Sequence, residues 1–229
     1  TNELKHKRYT TKSVVRKINS LKSFFSYLQE QDILQKNPVD SVERPKYTNQ
    51  APRVLTKMEY RALRDACRDD IRVSSIVEML LQTGIRISEL ANLALNDVNL
   101  EKKELTIKVS ESGDPRTIPM NQSAVKAIQE YLTVRPKAKT QIMFLTKNCK
   151  PFLVRNIRSA IDRYFRLAGV KGAKVNDLRH TFIVQQLSAG LPFGGVSKNV
   201  CYKSINTKKK KFQFLYAHFP TSKIKIEEL

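Results

Sequence analysis

Arg86 stands in the stretch TGIRISEL, between two isoleucines and two residues after a glycine placed to end a helix. A guanidinium set among apolar neighbours at a helix junction is partly buried, and a buried arginine needs an anionic partner. That partner is either an internal carboxylate, Glu89 or Asp97, or an anion from outside. Arg179 and His180 stand in VNDLRHTFIVQQLSAG. Asn176 or Asp177 can cap that helix, and the pair then sits near its N-terminus, where backbone N–H groups and the helix dipole favour an anion. A solvated Arg-His surface pair fits the same residues. Two arginines suit a phosphodiester: a guanidinium fork binds two non-bridging oxygens and gains in value as negative charge gathers in the transition state. Tyr216, in YAHFP, is of a residue type that attacks phosphorus covalently. Its free pKa of about 10 demands a cationic setting. No Walker loop, Rossmann fingerprint or acidic metal cluster is present, and arginines that carry the charge need no metal.

The elements that must position these residues read mainly as helices. Val14, Ile18, Leu21, Phe25 and Leu28 recur at helical spacing over residues 11–35, until Asn37-Pro38 stops the pattern. Polar, proline-punctuated residues from about 46 to 53 form a linker. Thr56 and Glu59 have capping-box spacing and open a helix to about Arg68. SSIVEMLLQTG is a buried helix stopped by Gly84, and SELANLAL begins another at Ser88. ELTIKVS and RTIPM alternate as strands around a turn at Glu111–Pro115. Further helices are predicted over 121–133, 153–168 and 177–188, the last closed by Ala189-Gly190 and Pro192. The fold class is therefore mainly α with a small antiparallel β-sheet, an α+β arrangement.

Composition narrows the partners. Lysine and arginine number 42 against 21 acidic residues, a net charge of +21, which favours polyanions. A hydrophobic fraction of 41% supports a packed core and excludes global disorder. Cys67, Cys149 and Cys201 form no C-x-x-C pair, so they read as reduced thiols of a cytoplasmic chain rather than zinc ligands or disulfides. No apolar run reaches membrane-spanning length. A chain that opens at Thr1 inside a basic helical pattern is expected to be part of a longer protein.

TGIRISEL, the strand pair ending RTIPM, LRHTF, LSAGLP and YAHFP occur in this order over about residues 10–220. Together they resemble the tyrosine recombinase family, the phage integrases and Xer-type enzymes. The resemblance implies a partial helical core-binding domain at 1–46, a linker at 47–53 and a catalytic domain at 54–229. It implies a clamp around double-stranded DNA, a 3′-phosphotyrosine intermediate, no cofactor, and a homotetramer on DNA with no membrane association. Arg86 matches the first catalytic arginine, Arg179 the second and Tyr216 the nucleophile. His180 matches the supporting histidine after the second arginine.

Other positions depart from the pattern. Counting back from Arg116, the lysine that protonates the leaving oxygen is replaced by Glu111, and Lys108 on the preceding strand is the candidate substitute. The histidine three residues before the second arginine is Asn176, which hydrogen-bonds but cannot act as a general base. The later histidine or tryptophan is Tyr202. Tyr202 and Tyr216 stand further apart than in the family, with KKFQF as added length before the nucleophile. Lys208, Lys209, Lys210 and Lys211 read either as a backbone-contacting run or as a solvated loop. Two functions follow. One is a DNA breaking-and-rejoining recombinase, impaired to the extent that these replacements matter. The other is a degenerate, inactive recombinase-like DNA-binding protein. A type IB topoisomerase shares the chemistry and is the third reading.

Overall fold

The structure, a computed structural model, describes residues 9–48, 51–108, 115–192 and 194–196. The chain divides into two compact units between residues 50 and 51. In the first, helix α1 spans Thr11–Glu30, with the Thr10 hydroxyl accepting from the Ser13 N–H at 3.3 Å. The helix ends five residues before the sequence pattern predicts. Asp32 takes a left-handed φ of 54°. The Ile33 N–H then reaches Leu28 O and the Asp32 N–H reaches Gln29 O. That is the pairing of a Schellman stop, with aspartate where glycine is usual. Val14, Ile18 and Val39 form the small core of this unit, flanked by Phe25 and Val42. Buried Asn37 fixes the returning chain: its carboxamide oxygen accepts from the Val39 N–H at 2.9 Å. The return covers the Val14–Ile18 side, so Leu21, predicted to face inward, is 47% exposed.

The second unit runs through α2 (Lys57–Cys67), α3 (Ile71–Thr83) and α4 (Ile87–Ala91). Strands β1 (Val98–Asn99), β2 (Glu104–Ile107) and β3 (Arg116–Pro119) follow, then α5 (Gln122–Val134), α6 (Val154–Leu167) and α7 (Val175–Ser188). The starts are set by side-chain caps. Thr56 and Glu59 form the expected box, the Thr56 N–H donating to Glu59 at 2.9 Å and the Glu59 N–H to Thr56 at 3.2 Å. Asp70 caps α3 through the Val73 N–H at 3.1 Å, and Asn121 caps α5 through the Ala124 N–H at 3.0 Å. Each cap contributes about 1 kcal/mol. Helix α3 is apolar on nearly all sides and lies at the centre, packed against α5 and α7 and touching α2, α4 and α6.

The sheet is antiparallel in the order β1-β2-β3, with Leu105 opposite Ile118 and Ile107 opposite Arg116. Leu105, Ile107 and Ile118 turn into the core while Glu104, Thr106 and Thr117 face out. This matches the α+β class, although β1 is too short to leave a sequence pattern. Helix α4 is shorter than SELANLAL predicts. Leu93 and Leu95 leave it to pair with the chain at Met143 and Gln141, at 2.7 and 2.8 Å. Helix α7 begins two residues earlier than predicted, and neither Asn176 nor Asp177 is its N-cap. Lys174 holds that position, and the Asp177 carboxylate, one turn inside, accepts its N–H at 2.8 Å.

Candidate active site

The site is built where α3 ends. Gly84 takes a φ of 61° as the left-handed stop of α3, and the ring of Phe182 from α7 packs against it. A Cβ there would come within 2.8 Å of Phe182 Cε1, so a side chain fails both on backbone conformation and on space. Ile85 and Ile87 are buried on either side of Arg86. They pin the backbone and leave the Arg86 side chain 26% exposed.

Arg86 is also the N-cap residue of α4, and Glu89 reaches back to it. The Arg86 N–H donates to Glu89 Oε2 at 2.8 Å, and Arg86 Nη1 donates to Oε1 at 3.1 Å. Of the two carboxylates predicted from sequence, Glu89 is thus the partner. Asp97 is engaged elsewhere, accepting from the Ala94 N–H at 2.9 Å and pairing with Lys108 Nζ at 2.7 Å. Glu89 has a second cation that sequence reasoning missed. Arg116 grips it with a fork, Nη1 to Oε1 at 3.1 Å and Nη2 to Oε2 at 2.8 Å. The signal was strand alternation: Arg116 lies two residues before buried Ile118 and so faces inward. Burial pushes the Glu89 carboxyl up, but the hydrogen bonds and charges of Arg116 and Arg86 outweigh it and hold it below the ordinary carboxylate value.

Arg179 comes from the second turn of α7. It is buried, not the surface residue that one sequence reading allowed, and its guanidinium donates to the carbonyl of Gly84. That contact ties it to the same junction that carries Arg86. Helix α7 is itself fixed by buried Thr181, whose hydroxyl accepts from the Leu55 N–H at 2.9 Å and donates to Asp177 O at 2.7 Å. His180 is half-buried. Burial lowers its pKa first, Arg179 lowers it further, and Asp177 opposes both. Asn176 is exposed at the start of α7, three residues before Arg179. Lys108 follows Ile107, the strand partner of Arg116, and its side chain is 71% exposed. Glu111, Tyr202, Lys208, Lys209, Lys210, Lys211 and Tyr216 lie outside the described residues. Among the described residues no three His, Cys, Asp or Glu side chains group as metal ligands do, and no helix is long and apolar enough to cross a membrane.

A lowered histidine pKa makes a testable statement. Above about pH 6.5 both folded and unfolded chains hold His180 neutral. As pH falls through that value the unfolded chain takes up the proton first, so stability contributed by neutral His180 is lost. Thermal melts between pH 7.5 and about 5 should therefore show a larger fall in midpoint for the unaltered chain than for His180→Gln. Equal slopes would show that His180 titrates alike in both states.

Arg86, Arg116 and Arg179 outnumber Glu89, so the junction is cationic around its most exposed guanidinium. Such a centre suits phosphate oxygens. Residues 53–215 match the phage integrase family. The chain is 30% identical over 217 residues to a tyrosine recombinase XerC of Roseiflexus castenholzii, covering 90% of this chain and 69% of that protein. It is 33% identical over 174 residues to a XerC of Caldanaerobacter subterraneus subsp. tengcongensis, covering 72% of this chain and 48% of the relative. In fold it resembles the Tn1549 transposon integrase, solved in complex with transposon right end DNA. The TM-score is 0.80 at 20% identity, over 94% of this chain and 78% of that one. With the family match running through α2 to α7 and the helical frame reproduced around the sheet, the chain belongs to the phage integrase family of tyrosine recombinases.

Proposed function

We propose that this chain is a site-specific recombinase that cleaves and rejoins double-stranded DNA through a 3′-phosphotyrosine at Tyr216. The observation that carries the reading is the convergence of Arg86 and Arg179 on one junction: the Arg179 guanidinium is bonded to Gly84 O, two residues before Arg86. In this reading the two arginines hold the non-bridging oxygens of the scissile phosphate, the tyrosine oxygen attacks phosphorus, and the 5′-oxygen leaves with a proton. That 5′-hydroxyl then attacks the phosphotyrosine of another strand, so the phosphoester is conserved and no nucleotide cofactor is consumed. Lys108 is the candidate acid. Its pairing with Asp97 at 2.7 Å must open for it to reach a leaving oxygen. Residues 1–46 serve as the core-binding module, Lys208–Lys211 contact the backbone, and four copies assemble on DNA in the cytoplasm.

Glu111, Asn176 and Tyr202 favour a second reading, a degenerate family member that binds DNA without cutting it. A library of nicked duplexes with a randomised core separates the two. Cleavage beside a nick releases a short fragment and strands the enzyme on its DNA. The recombinase reading expects a denaturation-resistant protein–DNA adduct that Tyr216→Phe cannot form. Duplex binding with no adduct at any library sequence would establish the degenerate reading instead.

A further inference from the structure

Glu89 is one carboxylate between two guanidinium groups. Its side chain is fully buried, and both of its oxygens are saturated: Oε1 by Arg86 Nη1 and Arg116 Nη1, Oε2 by the Arg86 N–H and Arg116 Nη2. Paired with Arg86 alone, it would hold the arginine well and cancel its charge. A phosphate reaching such a pair would meet a neutral dipole with a carboxylate 3.1 Å behind the guanidinium. Arg116 changes the sum. One negative and two positive groups leave the triad at +1. The two cations are not equivalent, because the Arg116 side chain is 8% exposed and that of Arg86 is 26% exposed. The surplus charge is thus offered to solvent on the Arg86 side.

We propose that Arg116 is a positioning residue for Arg86, gripping Glu89 from the buried side so that Glu89 can fix Arg86 without neutralising it. Arg116 suits this because its planar fork takes both carboxylate oxygens at once and cannot lose its charge. It is also the first residue of β3, opposite Ile107, so the same fork ties the strand pair to α4. The proposal rests on the reading of Arg86 as a phosphate-holding group.

A double-mutant cycle on binding tests it without requiring cleavage. The dissociation constant of a fluorescein-labelled mixed-sequence duplex is measured at fixed low salt for the unaltered chain, R86Q, R116Q and R86Q/R116Q, each checked for folding by thermal melt. R86Q alone is expected to weaken binding about tenfold, a lost charge-assisted phosphate contact. In the R116Q background the same change should cost less than about threefold, because Glu89 then pairs with Arg86 alone and cancels its charge. R116K, which keeps the charge but not the fork, should fall between R116Q and the unaltered chain. If R116Q does not fold, R116K replaces it as background, and an R86Q factor smaller than in the unaltered chain is again expected. An equal R86Q factor in both backgrounds overturns the role of Arg116 and leaves the reading of Arg86 intact. An R86Q change with no effect in the unaltered chain overturns the reading of Arg86 and this proposal with it.

Discussion

Glu89→Leu is expected to lower the unfolding free energy by about 3–5 kcal/mol, the usual cost of removing one partner from a buried ionic group. The leucine itself packs acceptably. The cost comes from what it abandons. The Arg116 side chain is 8% exposed, and its fork loses both oxygens that accept from it. Arg86 loses the acceptor for its backbone N–H at the start of α4 as well as its side-chain partner. Domains of this kind hold only about 5–15 kcal/mol in total, so the variant should show a large drop in urea midpoint. Glu89→Gln keeps one carbonyl acceptor and the side-chain volume, and should lose less. The instructive variant is Glu89→Leu/Arg116→Leu. Replacing both partners removes the stranded charge, and buried ion pairs exchanged for apolar residues are often neutral or stabilising. The double variant should therefore recover much of the midpoint while its DNA cleavage does not return. A Glu89→Leu chain with an unaltered midpoint would mean that Arg116 reaches solvent or another acceptor easily.

Glu89 also marks where the sequence was readable and where it was not. Its spacing from Arg86 made it one of two candidate carboxylate partners, and Thr56-Glu59, Gly84 and Gly190 announced helix ends, because each of these signals is local. The Arg116 partnership was not announced by spacing. It joins residues 27 positions apart and depends on how the sheet packs against α4. Arg179 failed in the same way. Read within α7 it had no reason to be buried, since the acceptor that makes burial tolerable, Gly84 O, belongs to α3. The early stop of α1 was missed because Asp32 adopts a left-handed φ that the sequence pattern assigns to glycine. Helix α4 was overestimated because tertiary pairing of Leu93 and Leu95 outweighs their helical preference. Local codes thus gave most of the frame. The site itself lies in contacts between α3, α4, β3 and α7.

Arg179→Ala is expected to reduce the rate of covalent adduct formation on trapped nicked duplex by about 10²–10³, the range for removing one preorganised donor from a developing anion. A loss of rate alone would not show that Arg179 meets the phosphate, because the side chain is also structural. Its guanidinium satisfies the Gly84 carbonyl beside the left-handed turn, and an unsatisfied buried carbonyl costs about 1–3 kcal/mol. The conservative replacement separates the two roles. A lysine can reach either the carbonyl or the phosphate with one compact ammonium, whereas the arginine fork can serve both. Arg179→Lys should therefore regain most of the thermal midpoint lost in Arg179→Ala while its adduct rate stays at least about tenfold below that of the unaltered chain. DNA affinity should change far less than rate in both, since a contact that strengthens as charge develops acts on the chemical step. If the rate follows the midpoint across Ala, Lys and Arg, Arg179 holds the Gly84 turn and nothing more. A rate that stays low while the midpoint recovers identifies the second guanidinium of the phosphate site.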